Sequence, residues 1–289
     1  MIEKRIIKIN NFEIGSKKYT PIIAEIGVNH LGSLKRAKNM VKDAFEGGAD
    51  FIKFQTYIAE KRYDLEKNPK ATLFTENLKK WQLSKNQEKE LWEYAQKLSK
   101  NVFTSVYDTD SIKFSMELET CAFKVAAFEM RNKILLQEII KTNKPIIVSC
   151  GMCTMKEISE LVDYLESNKS KFILLHTVSS YPLEKKHSFL DRIRQLNQKF
   201  SCPIGHSDHT HGTEIPPLSI AAGATIIEKH FTDNKKYRES DNFFSINKDE
   251  LKELRFKMNQ AQSYVFSEEL QIDDPESFMR DFIKVTSVN

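Results

Sequence analysis

A chain of 289 residues, 40% of them hydrophobic, has apolar material for one core of ordinary size, so a single domain with short additions is expected. Its formal charge of +4 is spread along the chain without a basic block, which argues against a nucleic-acid partner, and no run approaches the roughly eighteen apolar residues of a membrane span. Four cysteines do not make a disulfide framework in a chain this long, and the N-terminal MIEKRIIKINN lacks a signal peptide's apolar run, so a cytoplasmic protein is expected.

The first element, Arg5 to Gly15, is two short alternating runs around Asn10-Asn11 and reads as a hairpin within a segment 1–20, placed ahead of the main fold to close its bottom. From Pro21 onward, short apolar runs suited to buried parallel strands alternate with longer amphipathic segments, the pattern of repeated β/α units. Pro21–Ala24 is the first of these strands, and a helix pattern follows from Ser33 to Gly47, where Gly47-Gly48 supplies the stop. Phe51–Phe54 is the second. A long loop then leads to Leu83, and Ser84, three residues before Gln87, predicts a capping box for a helix carrying Leu91, Trp92, Ala95 and Leu98. Strands at Val102–Ser105, Ala122–Val125, Pro145–Ser149, Phe172–His176, Ile204–Ser207 and Thr225–Glu228 continue the series. Helices are expected around Ser111, Ile134, Ile158, Ile193 and Ile220, and a last one from Lys248 to Gln262. Eight strands and eight helices predict a closed (β/α)8 TIM barrel over 21–265, with 266–289 as a C-terminal tail. An open doubly wound sheet rarely uses eight units in strict alternation.

Catalytic groups of such barrels sit at the C-terminal ends of the strands. In order, those ends carry Glu25, Lys53 with Gln55, Ser105, Lys124 with Glu129 beyond it, Ser149, His176, Ser207 with Asp208 and His209, and Glu228 with Lys229 and His230. Loops are polar anyway, so one such residue says little, but eight strand ends together point to a site. Two lysines with serines between them suit an anion such as phosphate or carboxylate, although a Lys124–Glu129 ion pair fits the sequence equally well. His209 and His230, on adjacent strand ends, are candidates to share a divalent metal. In the stretch GHSDHTHG, the strand delivers His209 to the barrel mouth, whereas His206 lies within the strand and His211 toward the next helix. Cys150-Gly-Met-Cys153 has no second CxxC to complete a zinc site and no thioredoxin-like surroundings, so it reads as a strand-to-helix turn relaxed by Gly151.

Seven stretches carry a resemblance: IAEIGVNHLGSLK from Ile23, GADFIKFQTYI from Gly48, FKVAAFEMR from Phe123, KPIIVSCGMC from Lys144, LLHTVSSYPL from Leu174, GHSDHTH from Gly205 and GATIIEKHFTD from Gly223. In order and spacing they resemble the sialic acid synthase family, enzymes that condense phosphoenolpyruvate with an N-acylated amino sugar, over about Pro21 to Leu251. The resemblance implies a (β/α)8 catalytic barrel and a divalent ion, typically manganese, with magnesium or cobalt as alternatives, held by His209 and His230. It implies that Lys53, Lys124, Ser105, Ser149 and Ser207 hold phosphoenolpyruvate, and that Gln55, Glu129, Tyr181 and Asp241 fall where the sugar is contacted. Glu25 matches a glutamate beside the reacting centre, so Glu25, Lys53, Lys124 and Glu129 form the expected catalytic set.

The chain also departs from the family pattern. Ala126-Ala127 stand where a serine is usual, and Glu239-Ser240-Asp241 replace Gly-Pro-Asp, so the loop from Tyr237 to Phe244 is where sugar choice is expected to be made. Family members carry a C-terminal antifreeze-like domain that supplies an arginine to the partner subunit's site, for which a chain ending at Asn289 has no room. The resemblance implies a homodimer, and the expectation is that a separate chain provides the lid, that the protein manages without one, or that it has drifted in function. Weighed against this are a non-catalytic phosphoenolpyruvate- or sugar-binding barrel, condensation with a phosphorylated aldose, and a metal-dependent hydrolase. The hydrolase would resemble an H-x-H arrangement at the first strand, where this chain has Glu25-Ile-Gly27.

Overall fold

Residues 5–16 and 19–266, with 276, 279, 280 and 282, are described by a computed structural model of the chain. Residues 1–4 and 17–18 of the expected hairpin segment, and the expected tail apart from Phe266 and those four positions, lie outside the described residues. The hairpin pairs β1 (Ile7–Ile9) antiparallel with β2 (Phe12–Ile14) through Asn10, whose φ of 50° is a left-handed turn conformation that asparagine tolerates.

The remaining strands are β3 (Ile22–Gly27), β4 (Phe51–Thr56), β5 (Val102–Val106), β6 (Phe123–Val125), β7 (Ile146–Ser149), β8 (Phe172–Thr177), β9 (Ile204–Asp208) and β10 (Ile227–His230). All neighbours are parallel, and β10 pairs back onto β3, so the sheet closes into the (β/α)8 barrel that the alternation predicted. The connecting helices are α1 (Leu34–Glu46), α2 (Thr72–Trp81), α3 (Lys85–Leu98), α4 (Thr109–Glu117), α5 (Lys133–Lys141), α6 (Met155–Ser167), α7 (Asp191–Lys199), α8 (Ile215–Ala221) and α9 (Lys248–Val265). Their starts follow local chemistry. Ser33 caps α1, and Ser84 with Gln87 forms the expected capping box of α3, satisfying amide donors that the first turn leaves free.

Helix α2 lies where the sequence predicted only a long loop. It starts from a 3-10 turn at Pro69–Ala71 without a capping side chain, and two of its apolar residues, Leu73 and Phe74, are 71% and 65% exposed while Leu78 is buried. An apolar pattern that faces solvent does not announce a packed helix. Strands β3 and β10 also run further than expected, to Gly27 and His230, so Glu25 and His230 are strand residues rather than loop residues.

Period-two alternation sorts the barrel interior into layers. Ile23, Phe51, Phe103, Ala122, Ile147, Ile173 and Ile226 form the lower layer and pack in one cluster with Ile7, Ile9 and Ile14 of the hairpin, which thus seals the bottom. Phe12 adds a ring contact to Phe51 at 4.9 Å. Gly205 belongs to this region because a Cβ there would come within 2.6 Å of Leu175 and closer still to Ile226. Ile14 is fully buried, so Ile14→Ala is expected to destabilise the fold by about 2–5 kcal/mol in urea unfolding. An unchanged midpoint would mean that the hairpin does not seal the barrel.

Candidate active site

Two residues beyond the lower layer, the same inward faces turn from apolar to ionisable. Glu25, Lys53, Ser105, Lys124, Ser149, Ser207 and Glu228 are all buried, and they form the floor of a cavity of about 560 Å³ at the C-terminal end of the barrel. Gln55, Tyr181, His209, His230 and Asp241 line the same cavity. The fold therefore brings together every residue of the expected catalytic, substrate-binding and metal sets except Glu129.

Glu129 closes a 3-10 turn, Ala127–Glu129, that follows β6. Its carboxylate accepts from the side-chain amide of Asn132, the residue that caps α5, at 2.8 Å. The cavity wall there is made instead by Ala126, Ala127 and Phe128. The pairing of Lys124 with Glu129 that the sequence allowed does not form. Lys124 Nζ donates to Ser149 Oγ at 2.7 Å and lies 3.8 Å from Glu228.

Glu228 is the hub of the floor, a role that sequence reasoning did not assign to it. Its carboxylate lies 2.9 Å from Lys53 Nζ and accepts from Ser207 Oγ at 3.0 Å, while Lys53 also reaches Glu25 at 3.3 Å. Gln55 donates to the other oxygen of Glu25 at 2.8 Å. Two lysines and two glutamates thus neutralise each other out of water, where an unpaired charge would be untenable.

Their protonation behaviour splits into two pairs. Burial alone would raise Glu228, but Lys124 and Lys53 outweigh it and hold the carboxyl well below its ordinary range. Burial alone would lower Lys53, but Glu228 and Glu25 hold it above. Glu25 is pushed up to about 7 by burial, against Lys53 and with Glu228 adding to the rise. Lys124 is pulled down to about 8 by burial, more than Glu228 restores. An acid–base group poised near neutrality beside a fixed ion pair is the arrangement proton-transfer chemistry uses.

The two histidines stand at one side of this floor with ring centroids 5.4 Å apart. Burial pushes His209 down to about 4, and burial together with His209 holds His230 well below its ordinary value, so both imidazoles are neutral. His209 Nδ1 faces the Val178 carbonyl at 3.0 Å, which leaves Nε2 free. His230 Nδ1 is buried without a hydrogen bond, 3.4 Å from a carboxylate oxygen of Asp241. Asp241 sits beneath the rim, and burial raises it to about 6. Neutral imidazoles with an orphaned ring nitrogen fit a divalent cation. Among the described residues no three His, Cys, Asp or Glu side chains are grouped to hold a metal by themselves, so such a cation would complete its shell with water or substrate oxygens.

The other sequence candidates fall elsewhere. His176 and His206 stack 5.5 Å apart, and neither lines the cavity. None of the four cysteines is in a disulfide, and Cys153 Sγ donates to the Gly151 carbonyl. The left-handed residue of that turn is Met152, with φ of 58°, rather than Gly151. Gly151 is needed for another reason: a Cβ there would come within 2.9 Å of the Thr177 side chain. Sequence reasoning also passed over Arg62. It comes from the β4–α2 connection, lies against the faces of Tyr107 and Phe128 in the cavity wall, and has two buried nitrogens, Nε and Nη1, without a hydrogen-bond partner. No local pattern marks such a residue before the loop is folded.

Fold and site together define a (β/α)8-barrel enzyme whose mouth carries a floor of two lysines and two glutamates beside two neutral histidines. The model of the NeuB family matches residues 40–269. The chain is 34% identical to the N,N'-diacetyllegionaminic acid synthase of Legionella pneumophila subsp. pneumophila, over 96% of this chain and 82% of that one. It is 32% identical to a pseudaminic acid synthase of Campylobacter jejuni subsp. jejuni, over 93% and 80%. It matches the crystal structure of the N-acetylneuraminic acid (sialic acid) synthetase of Leptospira borgpetersenii serovar Hardjo-bovis, in complex with citrate, with a TM-score of 0.90 and 32% identity over 96% of each chain. The chain belongs to the NeuB family of sugar-acid synthases, as the resemblance implied. No described helix is long and apolar enough to cross a membrane.

Proposed function

We propose that the protein condenses phosphoenolpyruvate with an N-acylated amino sugar, N-acetylmannosamine or a related acetamido hexose, to a nonulosonic acid and releases phosphate. The observation that carries this reading is the floor itself, where two buried lysines share Glu228 next to a glutamate titrating near 7. An enol phosphate suits it because a phosphate can take the place of Glu228 at Lys124, with Ser105, Ser149 and Ser207 as further donors. Lys53, between Glu25 and Glu228, is placed to hold the carboxylate end.

In this reaction C3 of the enol phosphate uses its alkene pair to bond the aldehyde carbon of the open-chain sugar, whose C=O π pair moves to oxygen and is protonated to a hydroxyl, and C2 becomes electron-poor. Water adds at C2 and loses its proton to Glu25, after which the C2–O bond breaks and phosphate departs on Lys124. A divalent cation, manganese first and magnesium or cobalt as alternatives, would be held by His209 and His230 and would supply Lewis acidity at the sugar's aldehyde oxygen. Gln55, Tyr181 and Asp241 orient the sugar from the wall. Glu129 has no contact in this scheme. The same reading extends to a cytoplasmic homodimer and to a lid from outside the barrel, which would cover the rim rings Phe74 and Phe128, 65% and 49% exposed.

The test is phosphate release from phosphoenolpyruvate with manganese and each candidate sugar, with the product mass measured. Sugar-dependent release with a nonulosonic acid product is expected. Binding of phosphoenolpyruvate without release, whichever sugar is supplied, would leave a binding barrel instead.

A further inference from the structure

Alternation along β10 sends Glu228 and His230 into the cavity and Lys229 to the opposite face of the sheet, where it is 1% exposed. The ammonium there does not simply find a counter-ion. It donates to Asp208 Oδ2 at 2.5 Å and also to the carbonyl of Thr210. The Asp208 carboxylate in turn accepts from the amide of Thr210 at 3.1 Å and from its hydroxyl at 3.0 Å. The strand register sets this up, because Lys229 is the β10 partner of Asp208 on β9. Both neighbours of His209 are therefore tied to one side chain, and that side chain stands immediately before His230 on its own strand.

A buried lysine–aspartate pair is a poor device for stability alone, since well-packed apolar residues of like volume do as well or better. What the pair supplies is geometry. The His209 ring is already turned by Val178, and its backbone carbonyl accepts from Leu183 at 3.0 Å, but both of those contacts lead to the β8 side of the turn. Lys229 adds a side-chain tie to β10 beyond the backbone ladder, which ends at Asp208. It joins the turn that carries one histidine to the strand that carries the other, and so bears on the separation that a shared cation must span. Metal–imidazole bonds are short, about 2.0–2.1 Å for zinc, and a ligand displaced by even a fraction of that loses its hold.

We propose that Lys229 is a positioning residue for the divalent-cation site: through Asp208 and Thr210 it clamps the 208–210 turn so that His209 and His230 are held at metal-sharing distance. The proposal rests on the reading that the two histidines share the cation.

The test is manganese binding without substrates, by calorimetric titration and by loss of the free-ion paramagnetic resonance signal. Wild type, Lys229→Met, Lys229→Arg and His209→Ala are compared, with circular dichroism to check the fold. Lys229→Met is expected to weaken manganese binding by about 10–100-fold, the usual effect of removing a group that orients a metal ligand. It should leave phosphoenolpyruvate affinity near wild type, and Lys229→Arg should restore most of the manganese affinity. If Lys229→Met does not fold, Asp208→Asn, which keeps the shape and removes the charge that Lys229 grips, is read in its place. Unchanged manganese affinity in the folded variant, even with a lower melting temperature, overturns the clamp while His209→Ala still abolishes binding. Wild type that binds no manganese, or binding that survives His209→Ala, overturns the shared-cation reading and the clamp with it.

Discussion

Glu25→Gln is expected to lower sugar-dependent phosphate release by about 10²–10⁴-fold, the range a positioned proton-transfer group supplies, while phosphoenolpyruvate binds nearly as in wild type. Glutamine preserves the shape beside Gln55 and Lys53 but cannot take a proton from water. The pH profile distinguishes this from simple disruption. A base must be deprotonated to work, and burial has raised Glu25 to about 7, so wild-type turnover should climb as pH rises through about 7. The residual activity of the glutamine variant should lack that rise. A variant that instead loses phosphoenolpyruvate affinity would place Glu25 among the ligand contacts.

Lys124→Met is expected to weaken phosphoenolpyruvate binding by about 1.5–3 kcal/mol, on the order of ten- to a hundredfold, because one charge-assisted contact to the phosphate is removed. The fold should survive, since Glu228 keeps Lys53 at 2.9 Å and Ser207 at 3.0 Å. The sign of the pH effect is opposite to that of Glu25. An anion needs the lysine charged, and burial has lowered Lys124 to about 8, so wild-type affinity should hold below that pH and fall as pH rises through it. Titration calorimetry across this range reads both effects. Equal affinity in wild type and variant, with no such fall, would leave Lys124 as a structural partner of Glu228 and Ser149.

Much of the barrel was legible in the chain because each strand is a short apolar run closed by a polar residue, and capping residues such as Ser33 and Ser84 mark where helices begin. The inward-facing ends were legible for the same reason: alternation carries Phe51 to Lys53 and Ile226 to Glu228 on one face. What escaped depends on contacts between distant segments. Helix α2 hides because Leu73 and Phe74 face out and blur the one-sided pattern that Leu78 would mark. The centrality of Glu228 appears only when Lys53, Lys124 and Ser207 converge on it from three other strands. Glu129 was selected through the resemblance, but a three-residue turn hands its carboxylate to Asn132, and nothing in the local sequence says which way that turn leads.

The hairpin under the barrel has a consequence for traffic. With Ile7, Ile9 and Ile14 filling the lower end, the described residues leave the cavity open toward the top of the barrel. A ligand resting on Lys124 and Ser149 lies beneath one touching Tyr181, which is half exposed at the rim. On the proposed reaction, a ligand of the floor would go in before a ligand of the rim, an order that three isoleucines at the far end of the protein would impose.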